Sequence, residues 1–405
     1  MTCNLVLGYE PSFQVIKQKL NNKYLIEKII PIEDEMLGYL GKYFILKGKR
    51  ETNEEPAIFS FFLKIVPNSE KQKNFVKQSS VFNNEIILYE NLFPQMKFEG
   101  IPKFILGLKD NFILLEEMTV RNFQMLDKLK TFNLNFCQIA LTALAEFHAK
   151  SILFERRESI VKFLNEKNCN LHSPESLMSG ALKTNINGVC HIIDFIISIE
   201  KCEKQWKLVK KCLKNEAEQY YKRNFVEKKV LCHTDLWSNN ILFQLDDNRN
   251  PINCCLVDFQ LCRYAPPALD VLIFLYFTTT KELKKKHFEE LIDFYYDELK
   301  KNLEKEDVDI QGILPLLEFK KTIKQLKLMA MTAVIAYMSI DLLTTNVNKK
   351  GSVSKKEVWN CLSFNTKELV LKQFLAVDEY KFRIKNNLSE IYEEITGDEC
   401  TIEKC

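Results

Sequence analysis

The sequence contains little glycine and proline, which limits the ways in which its parts can be joined. Its 405 residues include 11 glycines and 11 prolines, and they form neither a low-complexity linker nor an internal repeat. This composition excludes a solenoid or a string of loosely tethered domains, so we expect the parts of the chain to be connected directly. The glycine-rich pattern G-x-G-x-x-G is also absent.

Paired cysteines and a signal segment are missing as well. Thirteen cysteines are scattered along the chain, and no two of them form a C-x-x-C pair. This spacing argues against a metal cluster, and a disulfide framework does not suit a chain of this size, so we expect reduced thiols. The amino terminus lacks a basic segment followed by an apolar one. Together these features favour a cytoplasmic location.

The charge is nearly balanced, with 57 basic and 54 acidic residues and a net charge of +3. A surplus this small does not favour a nucleic acid or an anionic membrane as partner. The basic cluster Lys284–Lys286 lies in a helical pattern, so we expect it on a solvated face. The apolar stretch Met329–Leu343 is too short for a membrane span and is expected to be a core helix. A hydrophobic content of 46% is sufficient for a large core with more than one lobe.

The most informative part of the sequence is the segment His233-Thr-Asp-Leu-Trp-Ser-Asn-Asn240 together with Asp258-Phe-Gln260. Phosphoryl transfer from ATP requires a carboxylate at the attacking hydroxyl, and an amide and a second carboxylate that hold Mg²⁺. Asp235, Asn240 and Asp258 supply these three groups. Each residue alone could cap a turn. The combination at this spacing indicates a kinase active site.

The residues between the two motifs predict a β-hairpin. Ile241-Leu-Phe243 begins one strand, Cys254-Cys-Leu-Val257 forms the other, and the polar turn 246–251 joins them. Asn240 precedes the first strand and Asp258 follows the second. Because the strands are antiparallel, both residues are expected at the open end of the hairpin.

Three further polar residues are expected to support the structure. Asp270 lies in Ala268–Tyr276, a helix that is apolar on every side. A buried carboxylate needs hydrogen-bond donors, so we expect Asp270 to accept hydrogen bonds from the backbone around His233. A helix N-cap is the alternative for Asp270. His233 is expected to support the loop and not to act as the base, and His148 is expected to be a packed core histidine and not a metal ligand.

These segments resemble the ecdysteroid kinase-like proteins of the choline kinase and aminoglycoside phosphotransferase superfamily. The resemblance is carried by Val230–Phe243, with paired asparagines after the tryptophan, and by Val257–Asp270, which contains D-F-Q-x-x-R-Y followed by P-A-L-D. A protein kinase would usually have arginine and glycine where this chain has Thr234 and Gln260. The resemblance therefore implies a small-molecule acceptor and disfavours a peptide substrate.

The resemblance extends from about Gly38 to Asp341 and implies an α+β protein, the bilobal protein kinase-like fold. We expect a small, β-rich, nucleotide-binding lobe over residues 1–117. A larger, mostly helical lobe for catalysis and substrate binding would span residues 118–405. The hydrophobic patterns agree, because strand-like and helical runs mix in the first part and helical patterns dominate in the second.

Two charged residues in apolar surroundings match the pair that orients ATP in this family. Ala57–Val66 reads as a buried strand, and its one lysine, Lys64, would reach the phosphates. Val81–Pro94 resembles the family's F-x-x-E-x-x-x-Y helix, in which Glu85 would pair with Lys64. Glu90 is the alternative partner, and the motif favours Glu85.

Two other segments are placed by the order of elements. Phe112–Met118 has the position of the hinge between the lobes, where backbone groups of Glu116 and Met118 would bind the adenine edge. An ordinary edge strand is the alternative. The loop Leu37–Phe44, which would cover the phosphates, has two glycines outside the strict pattern. This departure weakens the expectation of tight nucleotide binding but not that of the fold.

The resemblance implies ATP- and Mg²⁺-dependent phosphorylation of a hydroxyl group on an ecdysteroid or another apolar alcohol. Asp235 would align the hydroxyl and take its proton, while Asn240 and Asp258 coordinate Mg²⁺. The acceptor pocket would be built from residues 151–225 and the C-terminal helices. A non-catalytic nucleotide-binding scaffold is the alternative, motivated by the degenerate glycine loop. The identity of the acceptor and the oligomeric state stay open.

Overall fold

The computed structural model describes residues 9–20, 23–32, 41–50, 57–169, 171, 177–200, 203–344, 366–398 and 400. The first part of the loop that was predicted to cover the phosphates, including Gly38, lies outside these residues. Gly41 lies inside them. A Cβ atom at Gly41 would stand 3.1 Å from Cγ of Lys64, so the absence of a side chain lets this loop approach the lysine stem closely.

A five-stranded antiparallel sheet forms most of the amino-terminal part, with the strand order β1-β2-β3-β5-β4. Helix α1 (Glu10–Leu20) packs its apolar side against one face of this sheet. Helices α2, α3 and α4 lie between β3 and β4 in the chain, and a π-helical turn joins α3 to α4. The bounds are β1 Tyr24–Pro31, β2 Lys42–Arg50, β3 Ala57–Ile65, α2 Glu70–Ser79, α3 Val81–Ile87, α4 Phe93–Met96, β4 Phe104–Leu108 and β5 Phe112–Glu116.

The alternation of side chains along β3 explains why a lysine is buried near its end. Phe59, Phe61 and Leu63 pack in the core cluster that includes α1. The side chains between them point to the opposite face, because successive residues of a strand alternate. Phe62 and Lys64 lie on that opposite face, where they line a cavity.

The remainder of the chain is mostly helical and surrounds one large apolar core. The predicted two-lobed α+β architecture is confirmed, whereas a lobe boundary after Glu117 stays a prediction. The elements are β6 Phe123–Met125, α5 Leu134–Glu155, α6 Ile160–Glu166, α7 Leu177–Glu200, α8 Glu203–Gln219, β7 Val230–Cys232, β8 Ile241–Leu245, β9 Pro251–Leu256, β10 Arg263–Ala265, α9 Pro267–Thr278, α10 Lys281–Glu304, α11 Leu316–Asp341, α12 Lys367–Ala376 and α13 Asp378–Thr396.

Two small sheets carry the sequence motifs. Strands β6, β8 and β9 form one antiparallel sheet, and β7 pairs with β10 in the other. The predicted hairpin is β8–β9, and both strands extend further toward the turn than the sequence indicated. Within the turn, the backbone N–H of Asp246 donates to the carbonyl oxygen of Asn250 at 2.9 Å, and the N–H of Asn250 donates to Oδ1 of Asp246 at 2.7 Å. These bonds close the turn, at the end of the hairpin opposite to the two motifs.

The apolar helices α9 and α11 lie in the core, as predicted. Every residue of α9 is buried, including Asp270. Helix α11 is long and apolar enough by length and composition to cross a membrane, and 72% of its apolar window is buried inside the protein. A core helix of this kind needs no lipid to cover its apolar surface.

The expectation of a solvated lysine cluster on α10 is wrong for one of its three residues. Lys285 and Lys286 are exposed, but Lys284 is only 5% exposed. Its Nζ atom lies 3.2 Å from Oε2 of Glu390 on α13, and it also donates to the carbonyl oxygen of Thr279. Charge runs alone do not reveal such a pairing, because the partner lies about a hundred residues further along the chain.

Candidate active site

A cavity of about 340 Å³ lies between the five-stranded sheet and the helical part. Its walls include every residue to which the sequence assigned a role in binding or catalysis. Distant parts of the chain meet here, since Lys64 and Asp258 are 194 residues apart. The seven residues are Lys64, Glu85, Glu116, Met118, Asp235, Asn240 and Asp258.

Lys64 connects the sheet to the second motif. Its Nζ atom lies 2.8 Å from Oε2 of Glu85 on α3 and 2.9 Å from Oδ1 of Asp258, which follows β9. It also donates to Oε1 of Gln260 at 3.1 Å. Burial alone would lower the pKa of Lys64, but Asp258 and Glu85 raise it above its ordinary value. The lysine is therefore a fixed positive charge at neutral pH.

The structure distinguishes Glu85 from Glu90 as the partner of Lys64. Glu85 is 1% exposed, and its Oε1 atom accepts a hydrogen bond from the backbone N–H of Phe259 at 3.2 Å. Burial raises the pKa of Glu85 to about 7 against the opposing effect of Lys64. Glu90 is exposed. The preference for Glu85 from the motif is confirmed for the ion pair.

The loop after β7 presents Asp235 and Asn240 to the same cavity. A short 3₁₀ turn, Ser238–Asn240, folds Asn240 back, and its Nδ2 donates to Oδ2 of Asp235 at 2.9 Å and to the Asp235 carbonyl oxygen at 2.8 Å. This arrangement leaves Oδ1 of Asn240 as the amide's metal-ligating atom. Burial, with the nearby Asp341 and Asp258, raises the pKa of Asp235 well above its usual range. Asp235 can thus hold a proton more readily than an exposed aspartate.

His233 supports this loop through both ring nitrogens, as predicted. Its Nε2 atom lies 2.9 Å from the carbonyl oxygen of Val257, and its Nδ1 atom accepts the backbone N–H of Asp235 at 3.3 Å. These contacts fix the neutral tautomer with the proton on Nε2. Burial lowers the pKa of His233. Because neither nitrogen is available to a substrate hydroxyl, His233 is not placed to act as the base.

Asp270 accepts hydrogen bonds from the backbone of the loop after β7. The alternative that Asp270 is the N-cap of a helix is wrong, because Pro266 has that position. The two carboxylate oxygens of Asp270 accept the backbone N–H groups of His233 at 2.6 Å and Thr234 at 2.7 Å. Its third contact is with Nε2 of His148 at 3.1 Å, whose Nδ1 meets the hydroxyl of Tyr295. Thr234 has a positive φ of 58°, so the loop needs this support to keep its sharp turn.

The cluster around Asp270 has ligand atoms of the types that bind metals. His148, Cys232 and Asp270 place such atoms within 4.8 Å of one another. The thiol of Cys232 donates to the carbonyl oxygen of Ala265 at 3.3 Å, and the other two residues are engaged as described above. His148 is completely buried, as expected of a packed core histidine. Since these groups are satisfied within the protein, the cluster has a structural role.

One backbone hydrogen bond limits which groups of the predicted hinge could contact an adenine edge. The N–H group of Glu116 donates to the carbonyl oxygen of Lys103 at 2.8 Å. Only the carbonyl oxygen of Glu116 is therefore left for contact with an adenine edge. Met118 begins a 3₁₀ turn, and the side chain of Glu117 caps this turn by accepting a hydrogen bond from the backbone N–H of Thr119. Both predicted residues line the cavity, and their role in nucleotide binding stays a prediction.

Sequence reasoning missed Asp341, the last residue of α11. Its side chain lines the cavity together with Asp235 and Asp258. Burial and the nearby Asp258 raise its pKa to about 7, while Lys128 opposes this shift. The available signal was a lone aspartate that ends an otherwise apolar run, Met329–Ile340.

The predicted acceptor segment contributes to the cavity through unexpected side chains. Residues 151–225 supply Met178, Ala181 and Asn185 of α7. Aromatic residues of the same segment belong to the large core or pack against it, namely Phe154, Phe163, Trp206, Tyr220 and Tyr221. Tyr221 contacts the cavity wall indirectly, since its hydroxyl lies 2.7 Å from that of Tyr337.

The donor set fits a magnesium ion better than a softer metal. The carboxylate of Asp258 and the amide oxygen of Asn240 are hard oxygen ligands of the kind that Mg²⁺ prefers. Lys64 adds one positive charge beside Asp258, suited to phosphate oxygens. These groups, in the cavity of a two-lobed kinase-like fold, are of the types that phosphoryl transfer uses.

The chain belongs to the ecdysteroid kinase-like family, whose profile matches residues 39–307. A 4-hydroxytryptamine kinase of Psilocybe cyanescens is 47% identical over 49 residues, which is 12% of this chain and 14% of that protein. A GDP complex of a mutant aminoglycoside 2′-phosphotransferase is 12% identical, covers 95% of this chain and 99% of its own, and has a TM-score of 0.47. The family assignment depends on the profile match alone.

Proposed function

We propose that this protein transfers the γ-phosphoryl group of ATP, with Mg²⁺, to a hydroxyl group of a small apolar molecule. The observation that carries the proposal is the meeting of Lys64, Asp235, Asn240 and Asp258 in one cavity. Cation, base and metal ligands are the parts that phosphoryl transfer requires. The family match supports the same reaction class.

In this proposal each side chain has a defined task. Lys64, oriented by Glu85, binds phosphate oxygens, and Asn240 and Asp258 provide the oxygen ligands for the metal. Asp235 accepts the hydrogen bond of the acceptor hydroxyl and takes its proton as the new P–O bond forms. Asn240 fixes the rotamer of Asp235 through its 2.9 Å hydrogen bond. Bound Mg²⁺ would offset the negative charge on the transferred group.

The nature of the cavity supports a small, largely apolar acceptor. Apolar side chains such as Met178, Trp237 and Tyr337 line it beside the carboxylates. The family's name refers to ecdysteroids, and the relative that matches over 49 residues is named for a hydroxylated tryptamine. An ecdysteroid or another apolar alcohol is therefore the acceptor class that we propose. We also propose a lobe boundary after Glu117 and a cytoplasmic location.

The experiment that tests the proposal measures the transfer of labelled phosphate from ATP to small molecules. The protein is incubated with γ-labelled ATP, Mg²⁺ and a panel of steroid and phenolic alcohols, and small molecules are then separated from protein. We expect a labelled phosphate ester with the unmodified protein and none with Asp235→Asn. Binding of Mg-ATP should be nearly unchanged in that variant.

The competing function is a non-catalytic nucleotide-binding scaffold. It predicts Mg-ATP binding without a labelled ester and without slow ATP hydrolysis in the unmodified protein. Label found in protein instead of in small molecules would favour a protein kinase. Either result would contradict the proposed function.

A further inference from the structure

The cavity contains more carboxyl groups than phosphoryl transfer from ATP uses. Lys64 is the one cation among the described residues that line it, and it already lies within 3 Å of both Glu85 and Asp258. Asp235 and Asp341 add two further carboxylates. A bound triphosphate would make the cavity still more negative, so an additional positive charge would be stabilised there.

Asp341 is held in place by backbone contacts and not by an ion pair. Lys128 donates to the carbonyl oxygens of Asp341 at 2.7 Å and of Leu343 at 2.9 Å, at the C-terminal end of α11. No ion pair within 4 Å reaches the Asp341 carboxylate from the lysines, arginines and histidines of the described residues. The end of α11 is thus fixed while its carboxylate remains available to a ligand.

A second polar group in the cavity wall also points to a ligand. Asn185 of α7 is 3% exposed, and its Oδ1 atom has no hydrogen-bond partner among the described residues. A buried acceptor without a donor destabilises a protein by about 1–3 kcal/mol. Asn185 lines the same cavity as Asp341. A ligand with N–H or O–H groups would satisfy this amide.

The walls near these polar groups are apolar and aromatic. Tyr337 lies one helical turn before Asp341, and Met178 and Ala181 lie on α7 ahead of Asn185. Carbon-rich walls suit the body of an organic molecule, whereas a second Mg²⁺ would keep several waters and need more oxygen ligands. These surroundings favour an organic cation over a second metal.

We propose that the acceptor is a hydroxylated amine whose ammonium group is bound by the carboxylate of Asp341 while its hydroxyl group lies at Asp235. This inference rests on the proposed kinase function, and among alcohols with an apolar body it favours those that carry an ammonium group over ecdysteroids. Asn185 completes the site as a hydrogen-bond acceptor. The apolar linker and ring of such an amine pack between Tyr337 and Met178.

The test compares acceptors with and without a charged amine. Tyramine is paired with N-acetyltyramine, and 4-hydroxybenzylamine with its N-acetyl derivative, so that the hydroxyl and the ring stay the same. Binding is measured by calorimetry with Mg²⁺ and a non-hydrolysable ATP analogue, and phosphorylation is measured with ATP. The proteins are the wild type, Asp341→Asn and, as a control on an exposed face of α10, Asp297→Asn.

We expect the wild type and Asp297→Asn to bind each amine on the order of ten-fold more tightly than its N-acetyl partner. In Asp341→Asn this preference should disappear, while binding of the N-acetyl compounds and of the ATP analogue stays unchanged. The Km for the amine should rise more than kcat falls.

Four results would overturn the inference, and the last of them concerns phosphorylation. The first is equal binding of amines and N-acetyl compounds by the wild type, or no binding of either. The second is an equal loss for both compounds in Asp341→Asn. The third is a raised requirement for Mg²⁺ in that variant, which would make Asp341 a metal ligand. Phosphorylation of both compounds without preference would overturn only the amine inference, whereas phosphorylation of no acceptor would count against the proposed function.

Discussion

Lys64 and Glu85 form a buried ion pair, with 2.8 Å between Nζ and Oε2, that joins the central strand of the sheet to helix α3. Both side chains are at most 5% exposed. The same Nζ atom lies 2.9 Å from Asp258. The position of the lysine therefore depends on two carboxylates that come from distant parts of the chain.

Glu85→Gln should lower kcat on the order of 10- to 100-fold, because a lysine held by fewer charges is displaced from the phosphates. The measurement is steady-state kinetics with ATP and a phosphorylated acceptor. Glu90→Gln is the matched control, since Glu90 lies on the following π-helical turn and is exposed. An unchanged kcat in Glu85→Gln, or an equal loss in Glu90→Gln, would contradict this role.

Asp270→Ala should lower the free energy of unfolding by about 3 kcal/mol or more. The change removes the acceptor for the backbone N–H groups of His233 and Thr234 and for the His148 ring. Denaturant unfolding measures the effect, with Asp297→Ala on α10 as the exposed control. A loss within about 0.5 kcal/mol of the control would show that the loop is held by other contacts.

Asp341→Asn should make the protein without ligands more stable at pH 8 but not at pH 4. Burial raises the pKa of Asp341 from 3.8 to about 7. Between these values the folded state binds more protons than the unfolded one, so this residue lowers the free energy of unfolding as the pH rises. Above pH 7 the buried, ionised carboxylate lowers the free energy of unfolding by its full amount. Each unit of pKa difference between the folded and unfolded states corresponds to about 1.4 kcal/mol.

Thermal unfolding of Asp341→Asn and of the control Asp297→Asn at both pH values checks this prediction. The unfolding temperature of Asp341→Asn should rise relative to that of Asp297→Asn as the pH rises from 4 to 8. A destabilised Asp341→Asn at pH 8 would mean that the carboxylate stabilises the fold. That result would contradict the predicted gain in stability.

Local patterns were sufficient to predict the parts of the site that short segments define. The H-x-D-x-x-x-x-N spacing and the hairpin that follows it placed Asn240 and Asp258 at one end of two strands. The apolar run Ala57–Val66 predicted a buried strand that carries one lysine, Lys64. These predictions succeed because strand geometry fixes neighbouring side chains without help from the rest of the chain.

Other features depend on contacts between distant segments and could not be read locally. The sequence pattern places Lys284 on the surface, whereas in the fold Lys284 is buried against Glu390. Asp341 ends a helix that periodicity identifies only as core, and its place in the cavity follows from how α11 packs in the helical part. A pattern along one element does not specify which groups approach it from others.

The most direct test of the central claim is the effect of Mg²⁺ on ATP binding in the wild type and in Asp258→Asn, measured by calorimetry. If Asp258 and Asn240 hold the metal against the phosphates, Mg²⁺ should strengthen ATP binding in the wild type, and this gain should be lost in the variant. Asp247→Asn, in the exposed hairpin turn, should keep the gain. An equal Mg²⁺-dependent gain in wild type and Asp258→Asn would contradict the account.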